Sequence, residues 1–281
     1  MIGAIVGDIA GSRFEFHNRK SKDFRLLVSP GDVEGCVRSA RRRRGDKGMK
    51  GRPLRGRPCF ITDDTVMTLA VAEALVAWRK GGARSYAELS EAAVAAMRGF
   101  GARYPRIGYG GHFLAWLRSR TPRPYNSWGN GAAMRVSACG WAGRTLDEMK
   151  RLSAAVTAVT HNHPEGLKGA EATAVAVYLA RCGKSKGEIR DVIVRDYYAL
   201  DFALDDIRPD YRFDVSCQGS VPPALEAFFE AESFEDAIRN AISLGGDSDT
   251  LGAICGAVAG PTTACRTRSA PRPSPSCHRI F

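Results

Sequence analysis

Thr62-Asp63-Asp64 and Asp247-Ser248-Asp249-Thr250 each set two carboxylates beside a threonine hydroxyl, and they stand far apart in the chain. Like charges repel: two unit charges 4 Å apart cost about 1 kcal/mol in water and several times that near a protein surface. Capping a helix N-terminus explains one acid in each motif, because a carboxylate there satisfies free backbone donors and meets the positive end of the helix dipole. It leaves the second acid and the threonine unexplained. A shared hard cation accounts for all of them, since Mg²⁺ takes oxygen ligands with waters completing its octahedron. Four carboxylates and two hydroxyls suffice for two ions, as bimetallic hydrolytic centres require.

Other residues invite weaker readings. Asp8 lies inside an apolar helical stretch, where an unpaired charge is costly, so it must be hydrogen-bonded or support a neighbouring site. Glu15 reads as an acid near the end of that helix. Ser127-Trp128-Gly129-Asn130-Gly131 is either an ordinary turn or a place where small residues let backbone donors approach phosphate oxygens. His161 and His163 lack a third nitrogen or sulfur ligand nearby, which argues against zinc. Cys217 reads as a buried thiol with nothing to activate it.

The elements that must position these groups are helices. Ser85/Glu88, Thr145/Glu148 and Ser185/Glu188 have capping-box spacing, with a weaker version at Ser233/Asp236. Residues 65–78, 170–180 and 251–260 are apolar nearly all round, as helices in the middle of a bundle are, and polar-faced helices such as FEDAIRNAISL are expected to wrap them. We expect an all-α, single compact bundle of about ten helices over residues 1–260. A basic insertion at about 35–58 should be disordered, and residues 261–281 should form an irregular tail, read as an out-of-frame translation.

The formal charge of +11 suggests nucleic acid until its distribution is considered. Residues 35–58 carry ten basic residues and one acid, and residues 261–281 carry four Arg and no acid; the remainder holds 27 basic against 29 acidic residues. The folded part is therefore not basic, and the basic run has no interleaved aromatics for base stacking. Specific nucleic-acid binding is not expected. No apolar run approaches the roughly 18 residues of a membrane span. Eight scattered cysteines without a CxxC pair suit reduced thiols, so a cytoplasmic location is the expectation; the chain is also expected to be a monomer.

Taken together, GDIAGSRFEF (7–16), TDDTVMTLAVAEAL (62–75), YGG (109–111), SWGNGAAMRVS (127–137), THNHPEG (160–166) and GGDSDTLGAICGA (245–257) resemble the ADP-ribosylglycohydrolase family, in the same order and over most of residues 1–260. The resemblance implies an all-α bundle around two Mg²⁺ or Mn²⁺ ions, with Thr62, Asp63, Asp64, Asp247, Asp249 and Thr250 as ligands. It implies site roles for Glu15 on a segment covering the metals, and for Asp247 and Asp63 in catalysis. Ser127, Trp128, Gly129, Asn130 and Gly131 would hold the diphosphate and nearby ribose, with Met134 beside them. Tyr109, Gly110 and Gly111 would wall the cleft, and His161 would touch phosphate or ribose. The implied activity is hydrolysis of the glycosidic bond between ADP-ribose and an acceptor, a protein side chain or a small conjugate. A non-catalytic ADP-ribose-binding protein is the alternative.

Overall fold

A computed structural model describes residues 1–29 and 58–264. The expected disordered insertion, over residues 35–57, and the expected tail from residue 265 lie outside the described residues.

Helix α1 (Ile2–Gly11) carries Gly3, Gly7 and Gly11 at intervals of four, and so on one face. Helix α13 (Ser248–Ala264) carries Gly252, Gly256 and Gly260 at the same interval. These stripes meet backbone to backbone. A Cβ on Gly3 would stand 2.0 Å from the Gly256 carbonyl oxygen, and one on Gly7 would stand 1.9 Å from that of Gly252. The Ser248 hydroxyl then donates to the Gly11 carbonyl at 3.0 Å. This crossing clamps the end of the first helix, with Asp8, against the start of the last, with Asp249.

Between them run α2 (Asp63–Lys80), α3 (Tyr86–Arg103), α4 (Gly111–Arg118), α5 (Gly131–Met134), α6 (Ser137–Ala142), α7 (Leu146–Thr157), α8 (Pro164–Arg181), α9 (Lys186–Asp196), α10 (Leu204–Ile207), α11 (Cys217–Phe229) and α12 (Phe234–Ser243). Among the described residues the fold is all helical, with only an isolated antiparallel bridge between Gly129 and Ser216. Helix α8 is the axis: it packs against α5, α6, α7, α9, α11 and α13, and Ala172 through Ala180 are all buried. Helix α13 is likewise central. Helix α2 departs from the expectation of a fully buried helix, because Leu69 and Val76 remain exposed on the face turned away from α1 and α3; apolarity all round does not by itself put a helix in the middle.

The predicted caps form. Ser85, Thr145, Ser185 and Ser233 accept from the backbone N–H of Glu88, Glu148, Glu188 and Asp236. The reciprocal bond of a full capping box closes at Ser185, whereas the Glu148 carboxylate turns to Arg79 and the Arg144 N–H. The helical register also runs past Gly260, contrary to expectation. Pro261 is buried and extends the stripe of Ala257 and Val258 at helical spacing, and the Thr262 hydroxyl donates back to the Ala259 carbonyl at 2.7 Å. The expected irregular tail therefore begins later than residue 261.

Candidate active site

The first acidic motif is held from below by Asp8. Its carboxylate is fully buried and accepts from the Thr62 N–H at 3.1 Å, the Thr62 hydroxyl at 2.8 Å, the Thr65 N–H at 3.1 Å and the Thr65 hydroxyl. Burial pushes its pKa up while these bonds pull it down. One α1 side chain thereby takes two backbone donors at the α2 N-terminus and fixes that end in place. Thr62 donates to Asp8 and, as the N-cap residue of α2, accepts from the Asp64 N–H at 3.2 Å, so in the first motif it is the threonine and not an acid that caps the helix, contrary to expectation.

The second motif is aimed by a turn. Gly245 and Gly246 have φ of 72° and 67°, the left-handed region that favours glycine, and Asn18 Oδ1 accepts from the Gly246 N–H at 2.8 Å. The reversal delivers Asp247 at the mouth of α13, where Asn130 Nδ2 donates to its Oδ2 at 2.7 Å. Asn130 is itself held by Ser220 Oγ at 3.0 Å and by the Val215 carbonyl, which accepts its N–H at 2.7 Å.

The structure brings the two motifs together: Thr250 Oγ1 donates to Asp64 Oδ2 at 3.3 Å. Carboxylate oxygens of Glu15, Asp247 and Asp249 lie within 4.8 Å of one another. Among the described residues, Asp64 Oδ1 and Asp249 Oδ1 are buried without any hydrogen-bond partner. Orphaned carboxylate oxygens in an acid cluster are costly in a protein alone and fit a hard cation, so the residues present suit the metal that the motifs imply. Glu15 reaches this cluster because Phe14 is anchored in a small core with Ala10, Ile238 and Ile242, while Phe16 on the other side is exposed.

Burial first, then the Asp247 and Asp8 carboxylates, pushes Glu15 up to about 7; Asp63 rises to about 7, again chiefly by burial. Burial and neighbouring acids drive Asp64 and Asp249 well above the usual carboxylate range. Folding thus raises these pKa values, so the folded chain binds protons more tightly than the unfolded one. Their contribution favours folding at low pH and is lost as pH climbs from ordinary carboxylate values, 4.5 for Glu15 and 3.8 for Asp63, to about 7. In chelator we expect the melting midpoint of the wild-type chain to fall, relative to a Glu15→Gln/Asp63→Asn variant, across that window. Added Mg²⁺ should raise the wild-type midpoint most near pH 7. Scanning fluorimetry tests this, and parallel pH profiles for the two chains in chelator would contradict it.

The acids form one wall of a cleft of about 610 Å³, whose opposite wall includes Ser127, Trp128, Gly129, Asn130, Gly131, Met134 and His161, with Gly110 and Gly111 at the rim. Tyr109 departs from its expected place: its side chain is buried behind the wall, its ring 5.5 Å from that of Phe113. Thr62 also sits beneath the acids and not on the cleft surface. His163 caps α8, its Nδ1 accepting from the Glu165 N–H at 3.1 Å. Burial pushes the Cys217 thiol up to about 12, and it donates to the Gly129 carbonyl, so it is no nucleophile. Sequence reasoning missed Arg135, buried at the back of the cleft, and the stacked Phe16 and Phe213 at its mouth, whose rings lie 6.0 Å apart. The exposed Phe beside Glu15 was the available signal for the second feature; for Arg135 there was none beyond a charge inside an apolar segment.

The family model described as ADP-ribosylglycohydrolase matches residues 1–263. Human "ADP-ribosylhydrolase ARH3" is 24% identical over 323 residues, covering 92% of this chain and 83% of that protein. An uncharacterized protein of Archaeoglobus fulgidus is 32% identical over 146 residues, 46% of this chain and 48% of that protein, so the match spans about half of it. A solved chain titled "ADP-ribosylglycohydrolase-related protein complex" superposes with a TM-score of 0.61 at 24% identity, covering 93% of this chain and 84% of that one; this likeness speaks to the fold alone.

Proposed function

The chain belongs to the ADP-ribosylglycohydrolase family, and from that premise we propose that it hydrolyses the glycosidic bond joining ADP-ribose to an acceptor, with two divalent cations, Mg²⁺ or Mn²⁺, held by Thr62, Asp63, Asp64, Asp247, Asp249 and Thr250. The observation that carries this reading is the pair of unpartnered carboxylate oxygens, Asp64 Oδ1 and Asp249 Oδ1, contributed by two distant motifs to one cluster. Bound cations supply Lewis-acid chemistry, polarising ribose oxygens and making water a better nucleophile.

The chain's own residues do the rest. The turn at Ser127–Gly131 and His161 take the diphosphate end, which fixes the anomeric carbon over the acids and converts binding energy into orientation. Cleavage builds oxocarbenium character, which the carboxylates of Asp63 and Asp247 stabilise across the short distance of a shielded cleft. Asp247 is oriented by Asn130 to accept a proton from the attacking water. Glu15, whose carboxylate joins Asp247 and Asp249 in the cluster, is placed to take up and return a proton at the reacting centre.

A panel of arginine-linked, serine-linked and free ADP-ribose conjugates, assayed with Mg²⁺ and with Mn²⁺, tests the proposal. Release of ADP-ribose from at least one conjugate is expected, stopped by exhaustive chelation and restored by adding the cation back. Binding by calorimetry without release from any conjugate identifies a non-catalytic binder. Full turnover after chelation refutes the cation dependence.

A further inference from the structure

Arg135 is 1% exposed, yet among the described residues no carboxylate forms an ion pair with it. Removing a guanidinium from water without a counter-charge costs several kcal/mol even after relaxation, so its placement calls for a reason. Its Nη2 donates to Thr160 Oγ1 at 2.6 Å and lies 3.3 Å from His161 Nδ1, and its guanidinium carbon stands 5.6 Å from the centre of the Phe113 ring. Arginine has donors only. The contact with His161 is therefore a hydrogen bond only if Nδ1 presents its lone pair. Thr160 is compatible with the same assignment: having accepted from Arg135, its hydroxyl has two acceptors in reach, Nδ1 at 2.7 Å and the Thr157 carbonyl at 3.4 Å, and the shorter contact is the one that an Nδ1 lone pair completes.

We propose that Arg135 is a positioning residue that locks His161 as the Nε2–H tautomer, making Nε2 a fixed donor toward an anionic oxygen of the ligand in the cleft. Nε2 borders the Ser127–Gly131 turn: a Cβ on Gly131 would lie 3.3 Å from it and one on Gly129 3.5 Å. The ring is buried beside a positive charge, which disfavours imidazolium and holds its pKa well below the usual range, burial contributing most and Arg135 next. A neutral imidazole with its proton fixed on the cleft side donates without rearrangement when ligand arrives. The guanidinium behind it, which has no ion-pair partner among the described residues, adds attraction for a diphosphate. For the identity of that ligand the inference rests on the function proposed above; for the tautomer it rests on geometry alone.

Two-bond ¹H–¹⁵N correlation spectra of histidine-labelled protein read the tautomer directly, with the His161 signal assigned by its loss in His161→Gln. The wild-type chain should show the Nε2–H pattern at pH 7. Arg135→Met should release it to a mixture or to Nδ1–H, and Arg135→Lys, which keeps a donor-only cation, should restore it at least in part. ADP-ribose affinity by calorimetry should fall about 10- to 100-fold in Arg135→Met, by analogy with the loss when the hydrogen-bond partner of a metal-ligating imidazole is removed, with partial recovery in Arg135→Lys. An Nδ1–H or imidazolium form in the wild type overturns the proposal, and so does an unchanged pattern in Arg135→Met. Should Arg135→Met not fold, the wild-type spectrum and Arg135→Lys still decide. ADP-ribose bound by an Nε2–H His161 in a chain that releases nothing would sink the hydrolase reading and leave this one standing.

Discussion

Asp249→Ala is expected to eliminate measurable Mg²⁺ binding and to lower turnover by about a thousandfold or more, while raising the melting temperature of the protein in chelator. A cation's stabilisation of developing charge is worth several kcal/mol, and each 1.36 kcal/mol is tenfold in rate, which sets the scale of the loss. The residue is chosen because its Oδ1 has no partner among the described residues and it is 3% exposed, so a cation would satisfy an oxygen that the fold leaves unpaired. Asp247, by contrast, has Asn130 to hold it. The opposite sign on stability follows from the same facts. Burial, together with Asp247, Asp64 and Glu15, disfavours the charge on Asp249, so its removal relieves the metal-free protein of repulsion and desolvation. Calorimetric titration with Mg²⁺, a release assay and a chelated melt on one preparation separate the possibilities. Lower turnover together with a lower chelated melting point would mark Asp249 as a structural residue and not a ligand.

What the sequence made legible, and what it hid, divides along the range of the forces involved. The caps at Ser85, Thr145, Ser185 and Ser233 are local: hydroxyl and backbone donor lie within three residues, so spacing alone predicts them. The acidic motifs were legible as pairs of carboxylates beside a hydroxyl, and the fold brings the two pairs into one cluster. Asp8 could be read only as buried and supported, because its partners Thr62 and Thr65 are chosen by how α1 crosses α2. Arg135 was opaque. Its partners come from the turn after α7, and no pattern in its own segment points there. Tyr109 shows the reverse error, in which membership of a motif was taken for exposure to the cleft, although the ring packs inward on Phe113 and only its glycine neighbours reach the rim. The glycine stripes of α1 and α13 were in plain view as four-residue repeats, but they passed for small apolar residues. Their meaning appears only when the two helices are known to touch.

That contact makes Gly7→Ala the substitution whose added methyl meets the shortest clash among the described glycines. In an isolated helix alanine is better than glycine by about 1 kcal/mol, so propensity alone predicts a gain. Here the added Cβ would lie 1.9 Å from the Gly252 carbonyl oxygen and 2.2 Å from its carbon. Both are backbone atoms, which cannot turn aside as a side chain can, so the helices must separate by more than an ångström over their length. Overpacking in cores costs typically 1–3 kcal/mol, and a rigid clash of this kind should reach or exceed the top of that range, a large fraction of the roughly 5–15 kcal/mol that holds a domain folded. Separation would also carry Asp8 away from Thr62 and Thr65, loosening the first acidic motif, so cation affinity should fall in whatever fraction remains folded. Gly99→Ala in α3 is the matched control: nothing lies within 4 Å of its Cβ position, and it should stabilise by up to about 1 kcal/mol. Urea unfolding of the two variants beside the parent should therefore shift the midpoint in opposite directions. If Gly7→Ala unfolds at the parental urea concentration or above it, α1 and α13 do not meet through these glycines, and the clamp that brings Asp8 to the acid cluster is gone with them.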